Sequence, residues 1–235
     1  MKPAAPPAIL FLHALPMDGA MWHGQFDLFP ARTYAPTLYQ YGSSVEDWAL
    51  AALDQVHEEK LIIIGCSIGG SCALEIASRV PERVKCLVLV GTKAHRNPEP
   101  AFLEKAVDHI HRRGPGAAWD AYWAPLFSKS CDAMVLKNAR EDFSKRTADE
   151  LADGTIAFHT RPSRHELLRS FTGETVFVSG SDDIAPGPQT TRKQSEDALK
   201  GSYHEVPNCG HYVPLEAPRT FNAILQGELS GHFSG

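Results

Sequence analysis

No stretch of the 235-residue sequence approaches the roughly 20 consecutive apolar residues that a membrane-spanning helix requires, so no membrane partner is expected. Cysteine is scarce and odd in number. Its five residues include no C-x-x-C pair and no Cys/His spacing of the kind that holds zinc. A disulfide framework and a metal site are therefore not expected, and Cys66, Cys72 and Cys86 fall in apolar segments where a thiol packs as a small core group. Excess positive charge is missing as well. With a net charge of -5 there is no electrostatic reason to expect nucleic acid or an anionic membrane as partner. The basic stretches, His111-Arg112-Arg113 and residues 161–169, are short and interrupted, as solvated helix faces are. The opening apolar run Ala8–Leu12 is too short for a signal peptide and no small-residue cleavage site accompanies it. Together with the cysteine usage this makes a reducing cytoplasm the expected location. Internal repeats and low-complexity tracts are absent, and nothing in the sequence specifies an oligomeric state.

What is present is an ordinary globular composition, 43% hydrophobic and 22% charged, in a chain long enough for one well-filled α/β core. Short β-rich apolar runs alternate with helical patterns, the mark of a parallel sheet covered by helices. The runs are residues 8–12, 32–37, 60–64, 84–90, 175–179 and 202–206. The third is almost purely aliphatic, as a central strand buried on both faces requires. Helices are expected over residues 44–57, opened by Ser44 with Asp47 in a capping-box-like pattern, over 69–79 before Pro81, and over 218–229. Residues 93–172 break the alternation: several helical patterns, no convincing strand, and punctuation at Pro100, Gly114-Pro115-Gly116 and Arg161-Pro162. The division expected is a core of residues 1–92 and 173–235 with a helical insertion, 93–172, between the fourth and fifth strands.

The sharpest chemical signal is Gly65-Cys66-Ser67-Ile68-Gly69-Gly70, directly after the aliphatic run and opening a helical pattern. Small residues on both sides permit a strained strand-to-helix turn that lifts the serine hydroxyl above the sheet edge. The next amide, that of Ile68, then faces a developing oxyanion at a helix N-terminus. Cys66 is out of register for this role, because Ile64 stands two residues before it where Ser67 has Gly65. A serine hydroxyl needs a positioned base. Of eleven histidines only His211, in Cys209-Gly210-His211-Tyr212-Val213-Pro214 after the last strand, has a comparable setting. The base needs a carboxylate to fix its tautomer, and Gly180-Ser181-Asp182-Asp183 follows the fifth strand at the sheet end where open α/β proteins place their sites. Asp182 and Asp183 both stand there, and the choice between them is open at this point; if Asp183 is the one, Ile184 is expected to help bury its carboxylate.

These motifs resemble the α/β-hydrolase superfamily in its capped esterase and lactonase branch, over nearly the whole chain. The matches are the elbow at Ser67, the Gly180-x-x-Asp183 turn, and Gly210-His211-Tyr212-Val213-Pro214-Leu215-Glu216-x-Pro218. The resemblance implies an α/β-hydrolase fold, with a mostly parallel sheet of about six strands and a helical cap between the fourth and fifth. It also implies that His13-Ala14-Leu15-Pro16 is the oxyanion loop, with the amide of Leu15 as second donor. Ala14 stands where relatives carry glycine, and Thr37 near where many carry an acidic residue. The two strands that usually begin the fold have no counterpart here, so residues 32–37 should form an exposed edge.

The expected chemistry is acyl transfer to water. Ser67 is the nucleophile, His211 the base and Asp183 its orienting partner, with no metal and no cofactor. The substrate is a small molecule: an apolar ester, lactone or thioester. The aromatics of the insertion, Trp119 and Trp123 among them, supply either packing or the walls of the substrate pocket. Serine at the elbow argues against the aspartate-dependent dehalogenases and epoxide hydrolases of this fold. Three rivals stay open: another serine-triad reaction such as carbon–carbon bond hydrolysis or acyl transfer to an alcohol, cofactor-free oxygenation, and a ligand-binding sensor with negligible turnover.

Overall fold

The alternation of apolar runs produces six parallel strands in the order β2-β1-β3-β4-β5-β6. They are β1 Ala8–Leu12, β2 Thr33–Tyr34, β3 Leu61–Cys66, β4 Val84–Val90, β5 Glu174–Gly180 and β6 Gly201–Val206. This computed structural model describes residues 6–233; the expected core limits at residues 1 and 235 lie outside them. Successive side chains of β3 point to opposite faces. Ile62 and Ile64 join one buried cluster with Phe11, Val88 and Val178, whereas Leu61 and Ile63 join the other with Leu10, Leu87 and Phe177. Both faces are thus covered, and each such side chain contributes about 1.5–3 kcal/mol on burial.

The second strand does lie at the sheet edge, but it spans only Thr33–Tyr34 of the six residues expected. Two positions pair with β1, Thr33 with Ile9 and Tyr34 with Leu10. Pro36, which has no N–H to donate, follows close behind. Helix α1, Val45–Asp54, starts where Ser44 caps the Asp47 amide through its hydroxyl. α2, Ile68–Arg79, runs directly out of β3.

Four helices link β4 to β5: α3 Pro100–Ala118, α4 Ala133–Phe143, α5 Ala148–Thr160 and α6 His165–Ser170. The glycine at 114 (φ 81°, ψ 167°) breaks α3 into two pieces, and a π-helical turn, Trp119–Trp123, follows it. The remaining helices are α7 Pro188–Asp197, α8 Val213–Glu216 and α9 Pro218–Leu229. No apolar period announces α7, because its buried face is polar: Thr191, Gln194 and Ser195. Gln194 spans the backbone beyond β4, its Nε2 donating to Thr92 O at 2.9 Å and its Oε1 accepting from Ala94 N at 2.7 Å.

Candidate active site

The C-terminal ends of β1, β3, β4, β5 and β6 bring the predicted residues to one edge of the sheet. Ser67 links β3 to α2 with φ 55° and ψ -117°, a left-handed backbone that only one other described non-glycine residue, Asn208, shares. The strain is held from several sides. Ser67 N donates to Val90 O at 2.8 Å, and its carbonyl accepts from Gly70 N at 3.1 Å and from Thr92 Oγ1 at 3.3 Å. The flanking glycines are obligatory here. A Cβ on Gly65 would lie 2.4 Å from Gly69 O, and one on Gly69 would lie 2.1 Å from Leu12 O. Ser67 caps no amide of α2 with its hydroxyl, and the residue is partly exposed. Cys66 beside it is fully buried, and burial pushes its thiol well above the ordinary range, which leaves it unreactive.

His211 and Asp183 meet on the neighbouring strand ends. His211 Nδ1 lies 3.1 Å from Asp183 Oδ1, and both residues are buried. A carboxylate can only accept, so Nδ1 carries a proton in this contact, and Nε2 points away from the carboxylate. Burial alone would raise the Asp183 pKa. The His211 charge and hydrogen bond, with the amides of Ala185 and Gly187, outweigh it and hold the carboxyl below its ordinary value. Asp182 faces the other way, accepting from Ser128 Oγ at 2.6 Å and Ser181 Oγ at 3.0 Å. One expectation needs correcting: Ile184 does not cover Asp183. The chain turns outward after Asp183 and leaves Ile184 68% exposed, while the imidazole of His211, the turn ending at Gly187 and the backbone at Gly91 enclose the carboxylate.

Gly91 was not singled out from the sequence, although it directly follows the fourth apolar run. Its φ is 53°, and a Cβ there would lie 2.7 Å from His211 Nδ1 and 3.3 Å from Asp183 Oδ2. The signal was available, as a glycine at the C-terminal end of a buried strand. No hydrogen bond joins the Ser67 hydroxyl to His211 among the described residues. Elbow and imidazole instead share neighbours, Gly91 following the Val90 carbonyl that holds Ser67 N, and Cys66 Sγ lying 3.8 Å from His211 O.

The loop after β1 holds the other expected donor. His13 is fully buried, and burial lowers its pKa to about 4. Its Nε2 accepts from Leu38 N at 3.0 Å and its Nδ1 faces Ala14 O at 3.2 Å, which ties the loop to the segment beyond β2. Ala14 takes the glycine position without a left-handed backbone. Leu15 is buried, and its carbonyl accepts from Tyr212 Oη at 2.9 Å. Ile68, fully buried, opens α2.

Trp119 and Trp123 are both buried around Phe143, with ring centroids 5.0 and 5.7 Å from it, and Phe127 carries this cluster to Tyr212 at 4.5 Å. A cavity of about 210 Å³ opens between α4, the segment at residues 17–21 and Leu215 of α8. Met17, Met21, Val135, Ala139 and Leu215 make its apolar walls, and Asp18, Asn138 and Asp142 its polar side; Ser67 is not among its lining residues. At the N-terminal end of the sheet, away from these groups, Cys86, Glu174 and His232 bring potential metal-ligating atoms within 4.8 Å of one another. Burial, with the Glu174 charge, pushes the Cys86 thiol far up, which works against the thiolate a metal needs.

Residues 9–224 match the model of the alpha/beta hydrolase family. The chain belongs to that family. The lipase LipV of Mycobacterium tuberculosis is 31% identical to it over 97% of this chain and 95% of that protein. A 2-hydroxymuconate semialdehyde hydrolase from a Pseudomonas species is 24% identical over 81% of this chain and 69% of its own length. The solved structure of a thermophilic esterase from Thermogutta terrifontis superposes with a TM-score of 0.89, covering 98% of this chain and 92% of that one at 22% identity. The sheet and its flanking helices are thus those of an alpha/beta hydrolase. No helix among the described residues is long and apolar enough to cross a membrane.

Proposed function

We propose that the chain is a serine hydrolase that cleaves an apolar carboxylic ester, lactone or thioester of small to medium size. The observation that carries this reading is the buried His211–Asp183 contact of 3.1 Å, set beside the strand end whose carbonyl holds the strained Ser67 backbone. In the forward step Ser67 Oγ adds to the substrate carbonyl carbon and gives its proton to His211 Nε2. The amides of Leu15 and Ile68 stabilise the oxyanion. Collapse breaks the bond to the leaving oxygen or sulfur, which departs with the proton from His211 and leaves an acyl-Ser67. Water, losing a proton to His211, adds to that acyl group, and the acid leaves as Ser67 recovers its proton. Asp183 stays ionised throughout, as its lowered pKa favours.

In this reading residues 93–172 act as a cap over the core, and the 210 Å³ cavity beside α4 takes one arm of the substrate. A cavity of about 150 Å³ holds a benzene molecule, so this one suits an aromatic ring or a chain of about six carbons. Its lining contains no lysine, arginine or histidine to hold a negatively charged arm, and its two aspartates are already paired, Asp18 with Arg146 at 3.4 Å and Asp142 with Lys145 at 2.6 Å. This favours a neutral ester over an anionic substrate. Trp119 and Trp123 belong to the same buried cluster as Met17, Met21 and Ala139 of the cavity wall and back it from the cap.

The test is multiple-turnover assay on activated esters of increasing acyl length, with and without Ala139→Trp. The expected result is sustained turnover, with the longer acyl chains lost in the variant and acetate retained. A single burst of product with no further turnover would point to the sensor, and an unchanged length profile would remove the cavity from the substrate path.

A further inference from the structure

Glu216 ends α8, five positions after His211. Its Oε2 accepts from Gly210 N at 3.0 Å and from Ser128 N at 2.9 Å, and its Oε1 accepts from Tyr212 N at 3.2 Å. Two of these amides flank His211 in sequence. The third belongs to the connector that leaves the short helix Ala124–Leu126 on the way to α4. The amide of His211 itself donates to Leu126 O at 2.9 Å, so the same segment takes the N–H that lies between the two held by Glu216. The fit is close: a Cβ on Gly210 would stand 2.4 Å from Leu126 O and 2.5 Å from Ser128 N.

A second fastening lies beside the first. Ser128 Oγ donates to Asp182 Oδ2 at 2.6 Å, and Ser130 Oγ donates to Asn208 O at 3.2 Å. The connector over residues 126–130 is therefore tied both to the turn that presents Asp183 and to the loop that presents His211. Glu216 is half-buried, and burial outweighs its three amide partners and raises its pKa.

We propose that Glu216 is a positioning residue for His211, and that the connector is a strap by which the cap holds the imidazole on its Asp183 bond. This rests on the proposed roles of Ser67 and His211. The physical reasoning is a count of acceptors. Three amides converge on one carboxylate, which accepts at both oxygens; a carboxamide in its place has one acceptor oxygen and turns an NH₂ towards an N–H. Glu216→Gln therefore frees at least one amide of the trio, and a displacement of about 1 Å in a catalytic group lowers rates by as much as 100-fold.

The experiment measures kcat and KM on one activated ester, the rate of fluorophosphonate labelling, and thermal midpoints for Glu216→Gln and Leu229→Ala. Leu229 is fully buried in α9, away from the site, so its truncation destabilises without touching the loop. The expected result is a kcat loss of about 10- to 100-fold in Glu216→Gln with KM within about twofold, and a parental kcat in Leu229→Ala despite its lower midpoint. A Glu216→Gln enzyme with kcat within about twofold of the parent overturns the proposal and leaves Glu216 a stabilising residue only. Should Glu216→Gln not fold, Glu216→Asp keeps the charge but shortens the reach, and its kcat decides on the same terms. If the parent turns over no ester, that failure belongs to the substrate reading, and the labelling rate replaces kcat as the readout for Glu216.

Discussion

Two buried imidazoles stand at opposite ends of the chain, His13 after β1 and His211 after β6. They are 0% and 2% exposed, and each turns Nδ1 towards an oxygen. Their second nitrogens differ. The Leu38 amide occupies Nε2 of His13, no carboxylate faces its Nδ1, and burial holds it neutral with a pKa of about 4. Nε2 of His211 has no hydrogen-bond partner among the described residues, and its Nδ1 faces the ionised Asp183. The first ring can only hold a loop in place. The second, in the role proposed for it, has a nitrogen free of protein partners and a counter-charge for the proton it would take. The two rings thus differ in what their neighbours leave unfilled, not in burial.

The largest effect that sharpens this contrast is expected at the counter-charge. Asp183→Asn should lower kcat by about 10⁴, the scale on which neutralising the carboxylate of a serine–histidine–aspartate triad acts. Asp182→Asn, which touches the Ser181 hydroxyl and loosens the Ser128 fastening but leaves the counter-charge in place, should cost less than about tenfold. Kinetics of both variants on one ester decide the point, and the reverse ranking would exchange the two roles. Next comes the wall behind the His211 ring. Gly91→Ala places a methyl within contact of the imidazole and Asp183 on a left-handed backbone, and should lower kcat by about 100-fold. A parental rate would show that the ring can shift freely.

The smaller effects concern His13 and the cap. Folding lowers the pKa of His13, so the unfolded chain binds its proton at a higher pH than the folded one. Its contribution is complete above about pH 6.5 and is lost as pH falls towards 4, amounting to about 3 kcal/mol over that window. Urea midpoints at pH 7.5 and pH 5 should differ more in the parent than in His13→Gln, and equal differences would contradict a neutral buried His13. Trp119→Ala should alter acyl-length preference on the ester panel, and a lowered melting temperature with unaltered preference would assign Trp119 to packing alone.

The legibility of these parts follows their range along the chain. The strained turn at Ser67 was readable because its elements are local: a strand, two glycines and a helix within a dozen residues. Alternation at a strand end implied that only one of Asp182 and Asp183 could face His211, and the Gly180-x-x-Asp pattern pointed to Asp183, the one that contacts the imidazole. Ile184 was misjudged because the turn that encloses Asp183 depends on Gly91 and Gly187, one of which is about ninety residues away. The role of Glu216 was hidden for the same reason. Its three amides come from two separate segments, and only the folded chain brings Ser128 to Gly210. Helix α7 escaped because it buries glutamine, serine and threonine, which leave no apolar period.

The central claim is that Ser67 is an activated nucleophile served by His211. Fluorophosphonate labelling followed by peptide mass spectrometry tests it most directly, in the parent and in the Ser67→Ala and His211→Ala variants. The account predicts one modified residue, Ser67, with labelling abolished in Ser67→Ala and slowed by orders of magnitude in His211→Ala. Labelling that persists in Ser67→Ala, or that proceeds at the parental rate without His211, would contradict it.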